Sequence, residues 1–167
     1  MITSNTSLAL EIISRHDVAD VYVDPITAHR SLHAAVAFNA EEVIARFGAK
    51  TMENFATYLT VQTGIDRHIT LKPEFLQFVN HSCDPNVFFD TGSMEFVALK
   101  DIQPGEQLCF FYPSTEWEMA QPFLCSCGTS NCLQLINGAA HLSTETLSKY
   151  RLTNFILQQL KQKNIAV

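Results

Sequence analysis

At 167 residues, 47% of them hydrophobic, the chain is the right length for one domain around a sizeable core. No apolar run nears the roughly 18 residues of a membrane span, and a net charge of −6 disfavours a nucleic-acid backbone as partner. A basic peptide or a neutral small molecule suits that charge better. The opening MITSNTSLALEII has neither a basic n-region nor a small-residue cleavage site, which predicts an intracellular location, cytoplasmic first and nuclear second.

In chain order, LALEII and VYV within residues 8–24 predict short strands parted by a polar turn. SLHAAVAF is a strand or the start of a buried helix, and NAEEVIARF a turn leading into a strand. YLTVQ (58–62), TGID and RHITL predict a hairpin, and VFFD (87–90), TGS and MEFVALK (94–100) a second one. FLQFV before Asn80 is a helical turn or a strand. DIQPGEQ is a Pro-Gly turn, and LCFFY (108–112) a further short strand. From Leu142 to Lys163, an apolar face of Leu147, Tyr150, Phe155, Ile156 and Leu160 behind an N-cap at Ser143 predicts one helix. The sum is a mostly β, irregular domain with many short strands.

Two stretches carry chemistry. NHSCDPN (80–86) gathers a histidine, a thiol, an acid, two outer amides and a proline into seven residues. Cys125, Cys127 and Cys132 form C-x-C-x4-C in a loop loosened by Gly128, Ser126, Ser130 and Asn131. Three of five cysteines so close together point to a metal rather than to disulfides in an intracellular chain. Structural zinc takes four ligands in a tetrahedron, so one must come from elsewhere. Cys83, Cys109, His81 and His141 are the candidates, although Cys109 in its alternating strand reads as a buried apolar thiol.

The segments FVNHSCDPN (78–86), GEQLCFFY (105–112) and CSCGTSNCLQLI (125–136), in that order and spacing, resemble the SET-domain family of protein-lysine methyltransferases, the small single-domain type with a post-SET zinc loop. The likeness covers roughly residues 20–138. TYLTVQTG (57–64) looks like the family's inner strand with its tyrosine, and HRSLHAAVAFNAEEVI (29–44) lies over its opening Gly-x-Gly pattern. The resemblance implies a β-clip of several small curled sheets with a pseudoknot crossing, a post-SET zinc loop and a C-terminal helix. It divides the chain into an N-terminal extension (1–19), a SET-like domain (20–115), the zinc loop (116–140) and a C-terminal helix on the same domain (141–167).

The resemblance further implies transfer of a methyl group from S-adenosylmethionine to a lysine amine of a protein or peptide. Tyr112 and Tyr58 match the catalytic tyrosines. Asn80, His81, Arg30, Ser31, Leu32 and His33 match cofactor-binding positions, and Cys83 joins Cys125, Cys127 and Cys132 as a zinc ligand. Neither a nucleic-acid nor a membrane partner is expected. The chain departs from the family at His29-Arg30-Ser31 in place of Gly-x-Gly, where a side chain predicts backbone strain and bulk beside the cofactor. Glu41 replaces the glycine of the following turn, Gln77 stands where arginine is frequent, and Phe111 where aspartate is. These departures define a second expectation. It is a SET fold with lost or altered methyl transfer, acting on a small molecule or serving as a binding module.

Overall fold

The computed structural model describes residues 9–165, and Leu8 of the predicted first strand lies outside them. Turns cut the β-forming runs so often that no strand among the described residues exceeds six residues, and these residues form five small sheets instead of one large one. β1 (Glu11–Arg15), β2 (Ala19–Val23) and β3 (Arg30–Ala34) make an antiparallel sheet in that order. SLHAAVAF thus resolves as a strand. β4 (Val43–Arg46) borders β10 (Glu95–Ala98), which pairs in turn with β9 (Val87–Asp90). The predicted β9–β10 hairpin forms, its turn held by Asp90 Oδ1 accepting from the Gly92 and Ser93 amides (3.0 and 3.2 Å).

β7 (Arg67–Lys72) pairs with both β5 (Gly48–Glu53) and β6 (Val61–Gly64). The predicted strand at 58–62 starts three residues late. Thr57 and Thr60 close a turn first, the Thr60 amide donating to Thr57 O (3.3 Å) and the Thr57 amide to Thr60 Oγ1 (2.9 Å). Tyr58 therefore stands on that turn, 79% exposed. FLQFV resolves largely as a 3-10 turn, Glu74–Phe78.

The core lies between these sheets. Phe89 and Phe96, both sealed from solvent, pack with ring centroids 4.6 Å apart, and Leu32, Ile102 and Leu108 close around them. Two segments distant in sequence cross it. β8 (Asn80–His81) runs parallel to β11 (Cys109–Phe110), and the chain before β11 adds to β3 through Leu108 N–H to Leu32 O (2.8 Å). Asn86 stitches the crossing from the side. Its Oδ1 accepts from the Cys109 amide and its Nδ2 donates to Gln107 O, both at 2.8 Å.

The predicted helix over 142–163 is broken in two. α1 (Thr144–Leu147) is capped as expected by Ser143 Oγ, which accepts from the Thr146 amide (3.1 Å). α2 (Asn154–Ile165) begins anew at Thr153, whose Oγ1 accepts from the Ile156 amide (3.4 Å). Between them Tyr150 is drawn out of helical register. Its ring stacks on Phe111 (3.7 Å, 7°) and its hydroxyl donates to Cys83 O (2.9 Å). Aromatic stacking and a half-buried hydrogen bond outweigh the few tenths of a kcal/mol per residue of helix propensity. This tail forms a second, smaller core with Phe111, Ala139, Leu147, Phe155 and Ile156.

Candidate active site and metal clamp

A cleft of about 1080 Å³ opens where the β8–β11 crossing, the turn before β6 and the cysteine loop meet. Its walls explain the density of polar groups in NHSCDPN. The Asn80 side chain does not wait for a ligand with its whole amide. Nδ2 donates to Arg30 O (3.0 Å), tying β8 to the start of β3, while Oδ1 has no partner among the described residues. His81 Nδ1 accepts from the Tyr112 amide (3.2 Å). An amide can only donate, so the ring proton is on Nε2, which points at Cys83 Sγ (3.4 Å). Burial holds the imidazole well below its ordinary pKa, near 4, so it is neutral. His81 is thus a strut between Tyr112 and the thiol cluster.

Tyr112 follows β11 in a short 3-10 turn, Tyr112–Ser114, and its hydroxyl reaches Val79 O (3.4 Å). The ring meets Phe110, His81 and Phe123 at 4.7, 5.2 and 5.9 Å, the last two edge to face. Burial pushes the hydroxyl pKa far above that of a free tyrosine, so it stays protonated at any working pH.

The four predicted thiols converge. The sulfurs of Cys83, Cys125, Cys127 and Cys132 all lie within 4.8 Å of one another, close to the spacing of a tetrahedral zinc site. Cys109 and His141 are not in that group. β12 (Phe123–Leu124) and β13 (Leu135–Ile136) form a small antiparallel pair that frames the loop. Gly128, at φ +71, makes the tight return a side chain would strain. Amides aim at sulfur: Leu133 N at Cys83 Sγ and Cys127 N at Cys125 Sγ, both 3.4 Å. Burial and the neighbouring sulfurs raise the Cys83 and Cys125 pKa values. Burial acts the same way on Cys127, but hydrogen bonds from Thr129 outweigh it and hold that thiol below its usual value. Crowded sulfurs of this kind fit a dication, which takes up the charge that burial alone resists.

The cofactor-matched residues separate into two groups. Arg30, Asn80 and His81 line the cleft, as do Tyr58 and Tyr112; Ser31, Leu32 and His33 do not. Leu32 is core, and Ser31 Oγ is turned onto His33 Nε2 (2.9 Å), whose Nδ1 meets Gly105 O (2.9 Å). The strain predicted at His29 and Ser31 is not there, since neither has a positive φ. The left-handed residue is their neighbour Ala28 (φ 59). Glu41 does take the conformation its glycine counterpart would favour, at φ 66. His29 lines the cleft, and Ser31 puts no bulk into it.

The residues present suit S-adenosylmethionine. Arg30 faces the cleft with no carboxylate partner among the described residues, and Asn80 Oδ1 is a free acceptor beside it. A carboxylate and an ammonium, the two charges of a methionyl group, match that pair. Sequence reasoning missed two parts of the cleft. The first is the wall of Phe123 and Leu124 supplied by β12. The second is Glu116, a buried acid within STEWEM that nothing in the residue pattern marks as different from a surface glutamate.

Small curled sheets, a parallel crossing at NHSC and a four-thiol clamp over the cleft define a SET-type scaffold. The family model described as SET domain matches residues 8–113, and the chain belongs to that family. It is 38% identical over 145 residues to the methyltransferase flvH of Aspergillus flavus, covering 86% of this chain and 80% of that protein. It is 36% identical over 90 residues to an H3 lysine-36 specific histone-lysine N-methyltransferase of Aspergillus oryzae, and 30% over 121 residues to its counterpart of Emericella nidulans. These matches cover 50% and 69% of this chain but only 9% and 12% of those longer proteins. Among solved structures, KRYPTONITE in complex with mCHG DNA and S-adenosylhomocysteine (SAH) shares the fold, with a TM-score of 0.51 and 18% identity. The match covers 64% of this chain and 26% of that one. No helix among the described residues is long and apolar enough to cross a membrane.

Proposed function

We propose that this chain transfers the methyl group of S-adenosylmethionine to a lysine amine of a protein substrate. The observation that carries the reading is the Tyr112 hydroxyl, kept protonated by burial, donating to Val79 O and backed by the His81 strut. A hydroxyl that donates to a carbonyl keeps its lone pairs for an incoming amine N–H, which orients the nitrogen lone pair. When bound, the cofactor supplies an electrophilic methyl on a positive sulfur. Arg30 and Asn80 would hold its methionyl end, and the chain's remaining task is alignment. The aromatic wall of Phe110, Tyr112 and Phe123 excludes water and favours the neutral amine over the ammonium. Tyr58 and Leu124, each 79% exposed, stand at the rim of the cleft, where they offer apolar contact to an extended chain.

A protein substrate is supported by the histone-modifying activity printed for several relatives, and the acidic net charge of −6 suits a basic peptide. Structural zinc on the four thiols and a SET-like domain followed by its zinc loop belong to the same reading. Of the grounds for a repurposed fold, backbone strain at residues 29–31 falls away because neither His29 nor Ser31 has a positive φ, and the methyltransferase relatives weigh against the departures that stay, Gln77 and Phe111. The test is methyl incorporation from labelled S-adenosylmethionine into lysine-bearing peptides and cell-extract proteins. Tyr112→Phe is expected to lower kcat about 100-fold with KM for the cofactor little changed. No cofactor binding at millimolar concentration, or full activity in Tyr112→Phe, overturns the proposal.

A further inference from the structure

Methyl transfer to an amine leaves a proton to be placed, because lysine reaches the cleft as an ammonium. Tyr112 cannot take it, since its hydroxyl is itself protonated and donates to Val79 O. His81 cannot, since one nitrogen accepts from the Tyr112 amide and the other faces Cys83. Glu116 is different. It lines the same cleft, is only 6% exposed, and makes no ion pair among the described residues.

Its two oxygens have unequal lives. Oε1 accepts from the Gln62 amide on β6 (2.8 Å) and from Thr115 Oγ1 (3.0 Å). Oε2 has no donor among the described residues, yet it is not sealed away. The backbone behind it is fixed. Glu116 N donates to Tyr112 O (3.0 Å) and Ala139 N to Glu116 O (2.9 Å), and Gly138, at φ +103, passes so close that a Cβ there would lie 2.5 Å from Trp117 O. A carboxylate held this firmly with one oxygen left open is a receptor for a cation. Its position on the β6 side of the cleft, apart from the Arg30–Asn80 contact, separates it from the groups that suit the methionyl end of the donor.

We propose that Glu116 Oε2 receives the substrate's ammonium and takes its proton before methyl transfer, an assignment that rests on the methyl-transfer reading above. One N–H bond breaks and one O–H bond forms, leaving a neutral amine and a carboxylic acid. The amine's lone pair then attacks the methyl carbon as the C–S bond breaks, and the product leaves as a methylated ammonium. The acid later gives its proton to water at the cleft mouth. Burial places the Glu116 pKa at about 7, where a carboxylate both accepts and releases a proton readily. The titratable group whose charge it meets is Tyr112, which Glu116 helps to keep protonated, and His68 stands opposite Gln62 in the β6–β7 register.

Wild-type protein with carbon-13 in its glutamate carboxyls tests this directly. Adding n-butylammonium chloride is expected to lower the Glu116 titration midpoint, and Glu116→Gln to weaken butylammonium binding at pH 8 at least tenfold. S-adenosylhomocysteine is expected to bind both proteins equally and to leave the Glu116 resonance nearly unmoved. In turnover, the acid limb of kcat/KM is expected to rise by at least one pH unit in the variant. An unmoved midpoint with butylammonium, or equal amine affinity in Glu116→Gln, overturns the proposal. So does a Glu116 response to S-adenosylhomocysteine as large as that to the amine, since the carboxylate would then serve the donor. Amine binding without any S-adenosylhomocysteine binding would sink the methyl-transfer reading and leave the carboxylate's amine site standing.

Discussion

The sheets and the cysteine clamp are two parts of one chain held together by different forces. Between Ala19 and Phe110 the sheets bury a continuous apolar core in which Phe89, Phe96, Leu32, Ile102 and Leu108 are sealed. From Trp117 to Leu135 no residue is buried, and four sulfurs stand where a hydrophobic centre would. The first region is stabilised by area removed from water, whereas the second has its thiols spaced as a metal ion would need them. Yet both supply walls of the same cleft, so the site joins a part with an apolar core to one built around four thiols.

Removing the metal should separate them most sharply. Structural zinc in small domains is worth about 10–16 kcal/mol, so chelation is expected to abolish hydrogen-exchange protection in residues 118–135 and to leave β9 and β10 protected. Metal analysis should find close to one zinc per chain beforehand. Equal protection with and without metal would erase the contrast. Cutting into the other region gives the reverse. Phe96→Ala is expected to destabilise the sheets by about 3–5 kcal/mol in urea unfolding, while folded molecules keep their full zinc content.

Glu116 belongs to the seam between the two, and pH is the way to probe it. Its folded pKa of about 7 lies above the usual 4.5, so the folded chain holds that proton more tightly. Its contribution is fully present below about pH 4.5 and is lost as pH rises to 7 and beyond. At about 1.4 kcal/mol per pKa unit, Glu116→Gln should stabilise the protein by about 3 kcal/mol at pH 8.5 and by little at pH 4. Thermal melts of both proteins across that range check it. The smallest effect is expected at Glu41, where a left-handed conformation carries a side chain that also pairs with Arg151 (3.1 Å). Glu41→Gly should relieve about 1 kcal/mol of strain and lose an exposed ion pair worth less, for a net gain of up to about 1 kcal/mol.

Features set by local chemistry were legible in the sequence. Both hairpins follow from turn residues between β-branched and aromatic runs; the C-x-C-x4-C loop pointed to a metal, and the resemblance added Cys83 as its fourth thiol. What could not be read depends on partners distant in the chain. Tyr150 sits at a good helical position, and only Phe111 and the Cys83 carbonyl, far away in sequence, explain why it leaves the helix. Gly48–Glu53 forms a strand although its sequence, GAKTME, alternates poorly and stays mostly exposed, because β7 offers it an edge. Tyr58 and Tyr112 share the cleft as expected, but one is a rim residue and the other is enclosed. At Gly-x-Gly the segment does border the cleft through His29 and Arg30, but the expected strain is elsewhere. The positive φ falls on Ala28, and Ser31 spends its hydroxyl on His33.

The parallel pairing of β8 with β11 also sets the order in which the molecule can be built. Asn80 cannot meet Cys109 until residue 109 has been made and the loop between them has closed, and Cys83 cannot meet its partner thiols until residue 132 has arrived. Contacts of such long sequence separation are slow to form. The β9–β10 hairpin is a local pair that can assemble while the chain is still emerging from the ribosome, whereas the cleft takes one of its walls from residues 119–127 and is complete only once they have been translated.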